Sequence, residues 1–453
     1  ISKMLLRFAV PISLCFAAIS LFLGRGSQGE VITCSGIVPM KRRSNRISIT
    51  EFGGVGDGRT LNTKAFREAI YQIQHLKRRG GTLLHIPSGV YLTESFNLTS
   101  HMTLYLAKNA VIKATQDARM WPLISPLPSY GRGRELPGGR FMSFIHASGV
   151  EDVIITGENG TIDGQGDVWW NMWRRRTLRF TRPHLIEFVH SRDIIISYVT
   201  FRNSPFWNIH PVYCSNVVIQ FVTILAPRDS PNTDGVDPDS CSNICIEDSY
   251  IAVGDDLVAV KSGWDEYGIT YNLPSTNITV RRLAGSSPFS GFAIGSETSG
   301  GVHNILAETL RFHDMGLCVH IKTNTGRGGT VRNVTVSDVY CETSRKGIKV
   351  AGDVGGHPDE GFNPAALPVV RDVFIKGFRG VRVQLPGAFQ GLKLSPFTGI
   401  RLLNVTVFGV PGQKGDGGWK CSDVSGAARD VRPPPCSELA SIGFLNLKRY
   451  LDP

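Results

Sequence analysis

Asn277-Ile-Thr-Val, Asn333-Val-Thr-Val and Asn404-Val-Thr-Val are three copies of the short module that decides the fold of this chain. In each copy a polar turn residue precedes a β-branched run, which is typical of a strand that begins directly after a turn. Related copies begin at Asp152, Asp193, Asn216, Asn243, Asn304 and Asp372. Successive copies are separated by roughly twenty to forty residues, the spacing of a solenoid with one supersecondary unit in each coil.

The way in which these strands are linked follows from what lies between them. The intervening segments lack the amphipathic 3.6-residue period of a crossover helix, so turns must link the strands and the coils must stack in parallel. Each coil then hides its Val, Ile and Leu side chains against the coils above and below it. Asparagine at the turns tolerates left-handed backbone and can hydrogen-bond to its counterpart in the next coil. We therefore predict an all-β fold, a right-handed parallel β-helix.

Both ends of such a stack need a cover, because they expose unpaired strand edges. Residues 66–79, FREAIYQIQHLKRR, have the apolar spacing of an amphipathic helix, and we predict that this helix caps the first coil. The proline-rich tail from Pro411 onward is predicted to cover the other end, stapled by Cys421 and Cys436. A single β-helix domain over residues 45–440 follows, with a C-terminal tail over residues 441–453.

Several features predict a secreted protein. Residues 4–23 are apolar with one basic residue, Arg7, near the start, so residues 1–29 are predicted to be a signal peptide, with an N-terminal membrane anchor as the alternative. Nine cysteines are present and only Cys15 lies in this segment, which leaves an even number and suits an oxidising compartment. N-glycosylation sequons occur at Asn97, Asn159, Asn277, Asn333 and Asn404. We expect an extracellular or cell-wall location.

The formal net charge of +11 favours a polyanionic partner, because a basic surface attracts acidic ligands. Nucleic acid is disfavoured, since the basic residues are scattered and no helix-turn-helix, zinc-finger or RNP-like motif is present. An acidic polysaccharide is the partner that we predict, bound by a monomer.

The densest polar cluster contains three carboxylates in two separate segments. Asp234 lies in one segment, and Asp255 and Asp256 lie about one coil further along the chain. Parallel stacking would place them on neighbouring strands roughly 4.8 Å apart. Crowding like charges raises the pKa of at least one carboxyl, which provides a general acid beside an ionised base, as glycoside hydrolysis requires. The alternatives are aspartates that merely cap turns and a Ca²⁺ site, which would also use clustered carboxylates.

The chain resembles the polygalacturonases of glycoside hydrolase family 28. The resemblance begins at Glu51-Phe-Gly-Gly-Val-Gly-Asp-Gly and Asn62-Thr-Lys-Ala-Phe, continues through Ile162-Asp-Gly-Gln-Gly, and includes Asn232-Thr233-Asp234 and Gly254-Asp255-Asp256. It implies a parallel β-helix, no cofactor and no metal, and an inverting single displacement on pectic substrates. By this match Asp255 would be the general acid, Asp234 and Asp256 would activate the attacking water, and Asn232 would contact the substrate.

Two motifs depart from the family pattern. Ser290 takes the place of a histidine in a Gly-His-Gly motif, and His320-Ile321-Lys322 replaces Arg-Ile-Lys. Lys322 is predicted to pair with a sugar carboxylate, with Arg327 as a weaker candidate; Ser290 and His320 are expected to contact substrate with a reduced grip, because neutral histidine lacks the guanidinium fork. The alternative function is a pectin-binding cell-wall protein with reduced or no turnover. A pectate lyase, which would use Ca²⁺ and an arginine base, is a third hypothesis.

Three further expectations concern the surroundings of the carboxylates. We predict inversion at the anomeric centre, because the acid and base would lie on strands far enough apart to admit a water molecule. Lys261 and Glu297 are expected either at the rim of the site or in turn ion pairs. Tryptophans more often lie in the core than against a sugar, and this is the expectation for Trp169, Trp170, Trp173 and Trp207.

Overall fold

The computed structural model describes residues 36–39, 41–76, 79–410 and 418–439. The predicted signal or anchor segment and the predicted tail at residues 441–453 lie outside this part of the chain. Among the helices that are described, none has the length and apolar character required to cross a membrane.

The described chain consists mainly of strands, with three short α-helices. The helices are α1 (Thr63–Leu76), α2 (Asp167–Arg174) and α3 (Asp265–Tyr271). The strands in chain order are β1 (Asn45–Ser48), β2 (Asp57–Leu61), β3 (Thr82–Ile86), β4 (Gly89–Thr93), β5 (Phe96–Asn97), β6 (Met102–Leu106), β7 (Ala110–Ala114), β8 (Leu123–Ile124), β9 (Arg140–Phe141), β10 (Ile145–Ser148), β11 (Glu151–Gly157), β12 (Gly160–Asp163), β13 (Ile186–Val189), β14 (Arg192–Ser197), β15 (Val199–Arg202), β16 (Ile209–Val212), β17 (Ser215–Gln220), β18 (Thr223–Leu225), β19 (Ser242–Ala252), β20 (Val258–Val260), β21 (Ser275–Ser286), β22 (Ser290–Ile294), β23 (Val302–Lys322), β24 (Thr330–Ala351), β25 (Val369–Gln390), β26 (Phe397–Val407), β27 (Lys420–Ser422) and β28 (Val424–Arg432).

These strands stack in parallel rows along the solenoid, and the predicted parallel β-helix is confirmed. One row begins β1, β3, β6, β11, β14, β17 and a second begins β2, β4, β7, β12, β15, β18. The third row, called the site face here, runs through β5, β10, β13, β16, residues 236–239, β20, β22 and the last segments of β23, β24 and β25 to β27. Only β8 and β9 pair antiparallel among the named strands of the described chain.

An asparagine ladder fixes the register of successive coils, as the sequence predicts. The side-chain amide of Asn243 donates to Asn216, that of Asn277 to Asn243, that of Asn304 to Asn277 and that of Asn333 to Asn304, at 2.8–3.3 Å. All five have φ between 52° and 60°, in the left-handed region that asparagine tolerates. This repeated turn geometry starts each strand at the same height and so aligns inward side chains from coil to coil.

The interior is a continuous column of aliphatic and aromatic side chains, in which Leu104, Ile155, Ile196 and Ile246 are fully buried. Disulfides join Cys318 to Cys341 and Cys421 to Cys436. The second bond confirms the predicted staple of the tail. Cys241 is a buried free thiol beside Cys214, whereas Cys245 is disulfide-bonded.

The structure describes part of the cover at each end of the stack. The helix α1 begins three residues earlier than predicted and ends at Leu76, and the two residues that follow it lie outside the described chain. Its buried face includes Phe66, which stacks on Phe96 with ring centroids 4.6 Å apart. At the other end, β28 pairs with β26 and Leu439 is fully buried in the core. The described ends of the column are therefore closed by protein.

Candidate active site

The three predicted carboxylates come together at the edge of the site face. Val236 pairs with Val258 in parallel register, which places Asp234 and Asp256 at equivalent positions two residues earlier on adjacent coils. One carboxylate oxygen from each of Asp234, Asp255 and Asp256 lies within 4.8 Å of the other two. The stacking that the sequence predicts thus produces one cluster, called the carboxylate triad below.

Glycines and hydroxyls explain why the two acidic segments approach so closely. A Cβ atom on Gly254 would lie 2.0 Å from the carbonyl oxygen of Ser230, so only glycine fits this contact. The Ser230 and Thr233 hydroxyls are 2.6 Å apart, and Thr233 Oγ1 accepts the Gly254 amide at 3.0 Å. Residues that directly precede the acids in both segments therefore hold the two turns together.

Asp256 is the carboxylate held in its charged form. It is fully buried, accepts the Ser290 amide at 2.8 Å and lies 2.5 Å from Lys322 Nζ. Burial opposes ionisation, but the Lys322 ammonium outweighs it and holds the pKa of Asp256 below its usual value. Asp256 is thus ready to act as a base in acidic to neutral solution.

Asp255 has the opposite tendency. Burial, and next the Asp256 charge, raise the pKa of Asp255 to about 6, although Lys322 opposes the shift. Its oxygens accept the side-chain amide of Asn232 at 3.3 Å and the Asp256 amide at 2.9 Å. A carboxyl that keeps its proton up to about pH 6 beside an ionised carboxylate is the arrangement that acid–base catalysis needs.

Asp234 is held still more strongly in the neutral form. Burial raises the pKa of Asp234 well above its usual value, with further contributions from Asp255 and Asp237, and its Oδ1 atom has no hydrogen-bond partner. Because Asp234 and Asp255 both resist ionisation while Asp256 remains charged, the triad holds at least one proton. The resemblance implies that Asp234 and Asp256 both activate water. In the structure Asp256 is charged, whereas Asp234 holds a proton.

More charged residues are buried together beneath the triad than the sequence predicts. Lys261 Nζ lies 3.4 Å from both Asp237 and Glu297, and 4.5 Å from the centre of the Trp207 ring. Lys261 and Glu297 are thus a buried ion pair and not rim residues, which settles the two expectations for them. Burial raises the pKa of Asp237 to about 7, and Lys261 only partly offsets it. Asp237 stands three residues after Asp234, the last residue of the predicted motif, and the alternation of Asp237 with Asp239 in the same segment was the missed signal.

The position of Asn232 depends on a residue that sequence reasoning did not single out. Arg182 is fully buried, donates to Asn232 Oδ1 at 2.9 Å and forms a bidentate ion pair with Glu135 at 2.5–3.0 Å. With its oxygen engaged by Arg182, Asn232 must turn its NH₂ group toward Asp255. No local pattern around Arg182 predicts this contact, because its partners lie about fifty residues away on either side.

Ser290 and His320, the two departures from the family pattern noted in the sequence, lie together beside the triad. Ser290 Oγ and His320 Nδ1 are 3.2 Å apart. Burial, followed by the nearby Lys322 charge, lowers the pKa of His320 to about 3, so the ring is neutral, and its buried Nε2 has no hydrogen-bond partner. Both side chains help to line a depression of about 230 Å³ together with Phe289, Lys346 and Lys349.

Arg327 requires a correction. The sequence suggests a substrate contact, but its guanidinium is fully buried in an ion pair with Asp265. It also donates to the carbonyl oxygens of Ser296 at 2.8 Å and Gly356 at 2.6 Å. All of these partners are internal, because the chain between residues 353 and 361 folds over the glycine-rich turn, so Arg327 supports a loop and does not face a ligand.

The tryptophans follow the expectation in part. Trp169, Trp170 and Trp207 are buried, as residues of the core or its margins, whereas Trp173 at the end of α2 is 43% exposed. Arg182 lies over the Trp173 ring at 5.6 Å. Trp173 is therefore the one of the four that a bound sugar could touch.

A divalent cation fits the triad poorly, although three carboxylates within 4.8 Å of one another resemble a calcium site. Lys322 Nζ already supplies positive charge at 2.5 Å from Asp256, and an ion bound there would be repelled by it. The described residues His184, Glu187 and His210 form another group of possible ligands. There the Arg140 guanidinium grips both oxygens of Glu187 at 2.6 and 2.7 Å, which likewise disfavours a metal.

The spacing of the carboxylates differs from the expectation. Acid and base of an inverting glycosidase are typically about 6.5–9.5 Å apart, to leave room for water. One oxygen of each triad carboxylate lies within 4.8 Å of one oxygen of each of the other two, closer than that range. The separation of the strands, offered from the sequence as the reason for inversion, is therefore not supported, and the stereochemistry needs another basis.

Comparison with known proteins gives consistent matches. The model of the family described as "Glycosyl hydrolases family 28" matches residues 82–429. A probable polygalacturonase of Vitis vinifera is 45% identical over 426 residues, which cover 94% of this chain and 87% of that protein. An exopolygalacturonase of Zea mays is 30% identical over 380 residues, covering 79% of this chain and 82% of that protein.

Solved structures agree with these sequence matches. An exopolygalacturonase from Thermotoga maritima superimposes with a TM-score of 0.75 at 27% identity, covering 88% of this chain and 94% of the other. A polygalacturonase from Erwinia carotovora gives a TM-score of 0.69 at 24% identity, with 86% and 98% coverage, and this likeness is one of fold alone.

Proposed function

Because the chain belongs to glycosyl hydrolase family 28, we propose that it hydrolyses the glycosidic bonds of pectic galacturonan by an inverting single displacement. The observation that carries the proposal is the carboxylate triad, in which neighbouring carboxyls have pKa values shifted in opposite directions. Such a pair supplies a proton to the leaving oxygen and accepts one from water in the same site.

Each acidic residue has its own role in this mechanism. Asp255 is the general acid, because its pKa of about 6 keeps it protonated in acidic solution. Asp256 is the base that takes the proton of the attacking water, since Lys322 keeps it ionised. Asp234, whose pKa is raised, orients the same water through a hydrogen bond instead of sharing the charge. Asn232 fixes the direction of the Asp255 carboxyl.

The substrate contacts follow from the residues at the margin of the triad. Lys322 is 16% exposed at its side chain, so its ammonium can meet a sugar carboxylate while it remains beside Asp256. Ser290 and neutral His320 offer hydrogen bonds but no charge at the neighbouring position. We propose that the grip on a uronate there is weaker than an arginine would provide, while the acid and base themselves are unaffected.

The proposed setting is the extracellular space or cell wall, where pectic polysaccharide is the partner. The asparagines of all five sequons, Asn97, Asn159, Asn277, Asn333 and Asn404, are exposed, as glycan attachment requires. The two described disulfides suit the same oxidising compartment.

The test of the proposal is the release of reducing ends from polygalacturonate as a function of pH. We expect kcat/KM to fall as pH rises through about 6, because Asp255 loses the proton that it must donate. On the acid side activity should persist below the usual range of a carboxyl group, because the pKa of Asp256 is lowered. Release of no reducing ends from any pectic polymer would refute the function, and undiminished activity at pH 8 would refute the role of Asp255.

A further inference from the structure

The site face is covered on one side of the triad and open on the other. Outward-facing residues of successive strands toward the N-terminus are Glu187, His210 and Asp237, and all three are fully buried. Outward-facing residues in register beyond the triad are His320, Lys349 and Lys420, of which the first two are partly exposed and the third is exposed. A polar sheet face is buried only where something covers it.

The cover on the N-terminal side is the chain itself, residues 125–139, called the roof loop here. Tyr130 donates to Asp239 at 2.6 Å, and Ser129 Oγ lies 2.6 Å from the hydroxyl of Tyr213. The Ser129 carbonyl also accepts the Trp264 amide at 2.9 Å. These contacts attach the roof loop along the covered half of the site face, through side chains that are themselves buried.

The roof loop ends directly at the triad. Arg134 donates to Glu297 at 2.6 Å and lies over the Trp264 ring at 4.4 Å. The next residue, Glu135, forms an ion pair with Arg182. Arg182 donates a hydrogen bond to Asn232, which in turn donates one to Asp255. The last contacts of the cover are thus one or two side chains away from the proposed acid.

A second loop, residues 356–359, contacts the roof loop directly at Arg132, and it also binds Trp264 and Tyr267, on which the roof loop packs. The Trp264 indole donates to Gly356 O at 3.0 Å, Tyr267 donates to Asp359 at 3.0 Å, and Arg132 hydrogen-bonds to Pro358 O. The cover is therefore tied to two other parts of the protein and forms a fixed wall, not a free flap.

The open half of the site face is basic and contains two adjoining depressions. One, of about 230 Å³, lies against Phe289 and His320, and the other, of about 220 Å³, extends to Lys420. Lys346 and Lys349 line both of them. From His320 to Lys420 is three strand spacings, or roughly 14 Å at about 4.8 Å each. Lys346 and Lys420 have no ion-pair partner within the described part of the chain, so their ammonium groups face solvent.

We propose that the carboxylate triad stands at the closed end of a one-ended groove, so that the protein cleaves acidic polysaccharide from a chain end and not at internal bonds. This rests on the proposed function. The polymer lies along the open half, where Lys346 and Lys349 on one strand, and Lys420 two strand spacings further, pair with its carboxylates and the 52%-exposed Phe289 packs on a sugar face. An internal segment cannot bind, because the chain on the other side of the triad would have to pass through the roof loop.

Neutralising the open half tests the path of the polymer. In a Lys346→Gln, Lys349→Gln double variant we expect KM for long galacturonate chains to rise about tenfold or more with little change in kcat, since charge-assisted bonds remote from the reacting atoms are lost. KM for the shortest cleavable oligomer should change much less. Lys376→Gln is the matched control, because Lys376 is exposed on a different strand row of the neighbouring coil. Equal effects on short and long chains would contradict the proposed path.

The mode of attack is tested by following viscosity and reducing ends together on polygalacturonate with the wild-type protein. We expect reducing ends to accumulate while viscosity stays nearly constant, and chromatography to find one short product from the first time point. A rapid loss of viscosity with a ladder of intermediate oligomers would overturn the one-ended groove but leave the proposed function standing. Release of no reducing ends at all would overturn both.

Discussion

Replacing Asp255 with asparagine should lower kcat/KM on polygalacturonate by about 10²- to 10⁴-fold, the contribution expected from a general acid. The amide of the variant cannot protonate the leaving oxygen, while its size and its hydrogen bond from the Asp256 amide are kept. Initial rates of reducing-end release provide the measurement. The loss should be larger for kcat than for KM, because the proton is transferred only in the transition state.

Stability separates this effect from misfolding. Burial, and next the repulsion from Asp256, raises the pKa of Asp255, so Asp255→Asn should leave the melting temperature unchanged or increase it at neutral pH. Asp314→Asn is a suitable control, since the Asp314 side chain is 64% exposed and far along the chain from the triad. Reducing-end release within a few-fold of wild type in Asp255→Asn would remove Asp255 from the mechanism.

Replacing Lys322 with methionine should affect both activity and stability. Without the ammonium 2.5 Å away, buried Asp256 loses the interaction that overcomes the effect of burial, and its pKa should rise above the usual value. The acidic limb of the pH–rate profile should then move to higher pH, with kcat/KM at least about tenfold lower on that limb. Lys322→Arg retains the charge and should keep the limb near its original position.

The same change has a pH-dependent cost in stability. In the wild type, the lowered pKa of Asp256 contributes stability above the unfolded-state pKa, and this is lost as pH falls through the folded-state value. In Lys322→Met the buried carboxylate is unpaired, so the free energy of unfolding should drop by about 3 kcal/mol at neutral pH, and by much less once Asp256 is protonated. Lys376→Met serves as the control. A pH-independent difference in melting temperature would contradict the proposed pairing.

The periodic parts of the structure were predictable because they repeat a local rule. An asparagine or aspartate with left-handed backbone begins each strand of one row from β11 to β25, and side-chain hydrogen bonds between counterparts fix the register from Asn216 to Asn333. That register places Asp234 opposite Asp256. Clustering of the acids follows from the same rule, and so does the prediction that one of them keeps a proton.

The unpredicted parts depend on contacts between distant segments that share no pattern. Tyr130 and Asp239 are 109 residues apart, and Arg134 and Glu297 are 163 residues apart. The roof loop has no periodicity that would reveal where it lies, and its contacts cover half of the site face. Arg327 looked accessible in a glycine-rich turn because the sequence does not show that residues 353–361 fold over it.

Family membership and the spacing of the carboxylates predict different stereochemistry for the reaction: the family inverts the anomeric centre, whereas the spacing suits retention. The close spacing of the triad oxygens would by itself suit a carboxylate nucleophile and retention. However, the only carboxylate of the triad that stays ionised, Asp256, is held at both oxygens by Ser290 N and Lys322 Nζ. A carboxylate so engaged is better suited to orient and deprotonate water than to attack carbon.

Proton NMR of the first product released from an α-linked galacturonan decides this point most directly. If Asp255 donates the proton and water activated by Asp256 attacks the anomeric carbon, the new reducing end should appear first as the β-anomer and equilibrate later. Initial appearance of the α-anomer would mean that a protein carboxylate attacks the sugar, and would contradict the single displacement assigned to the triad.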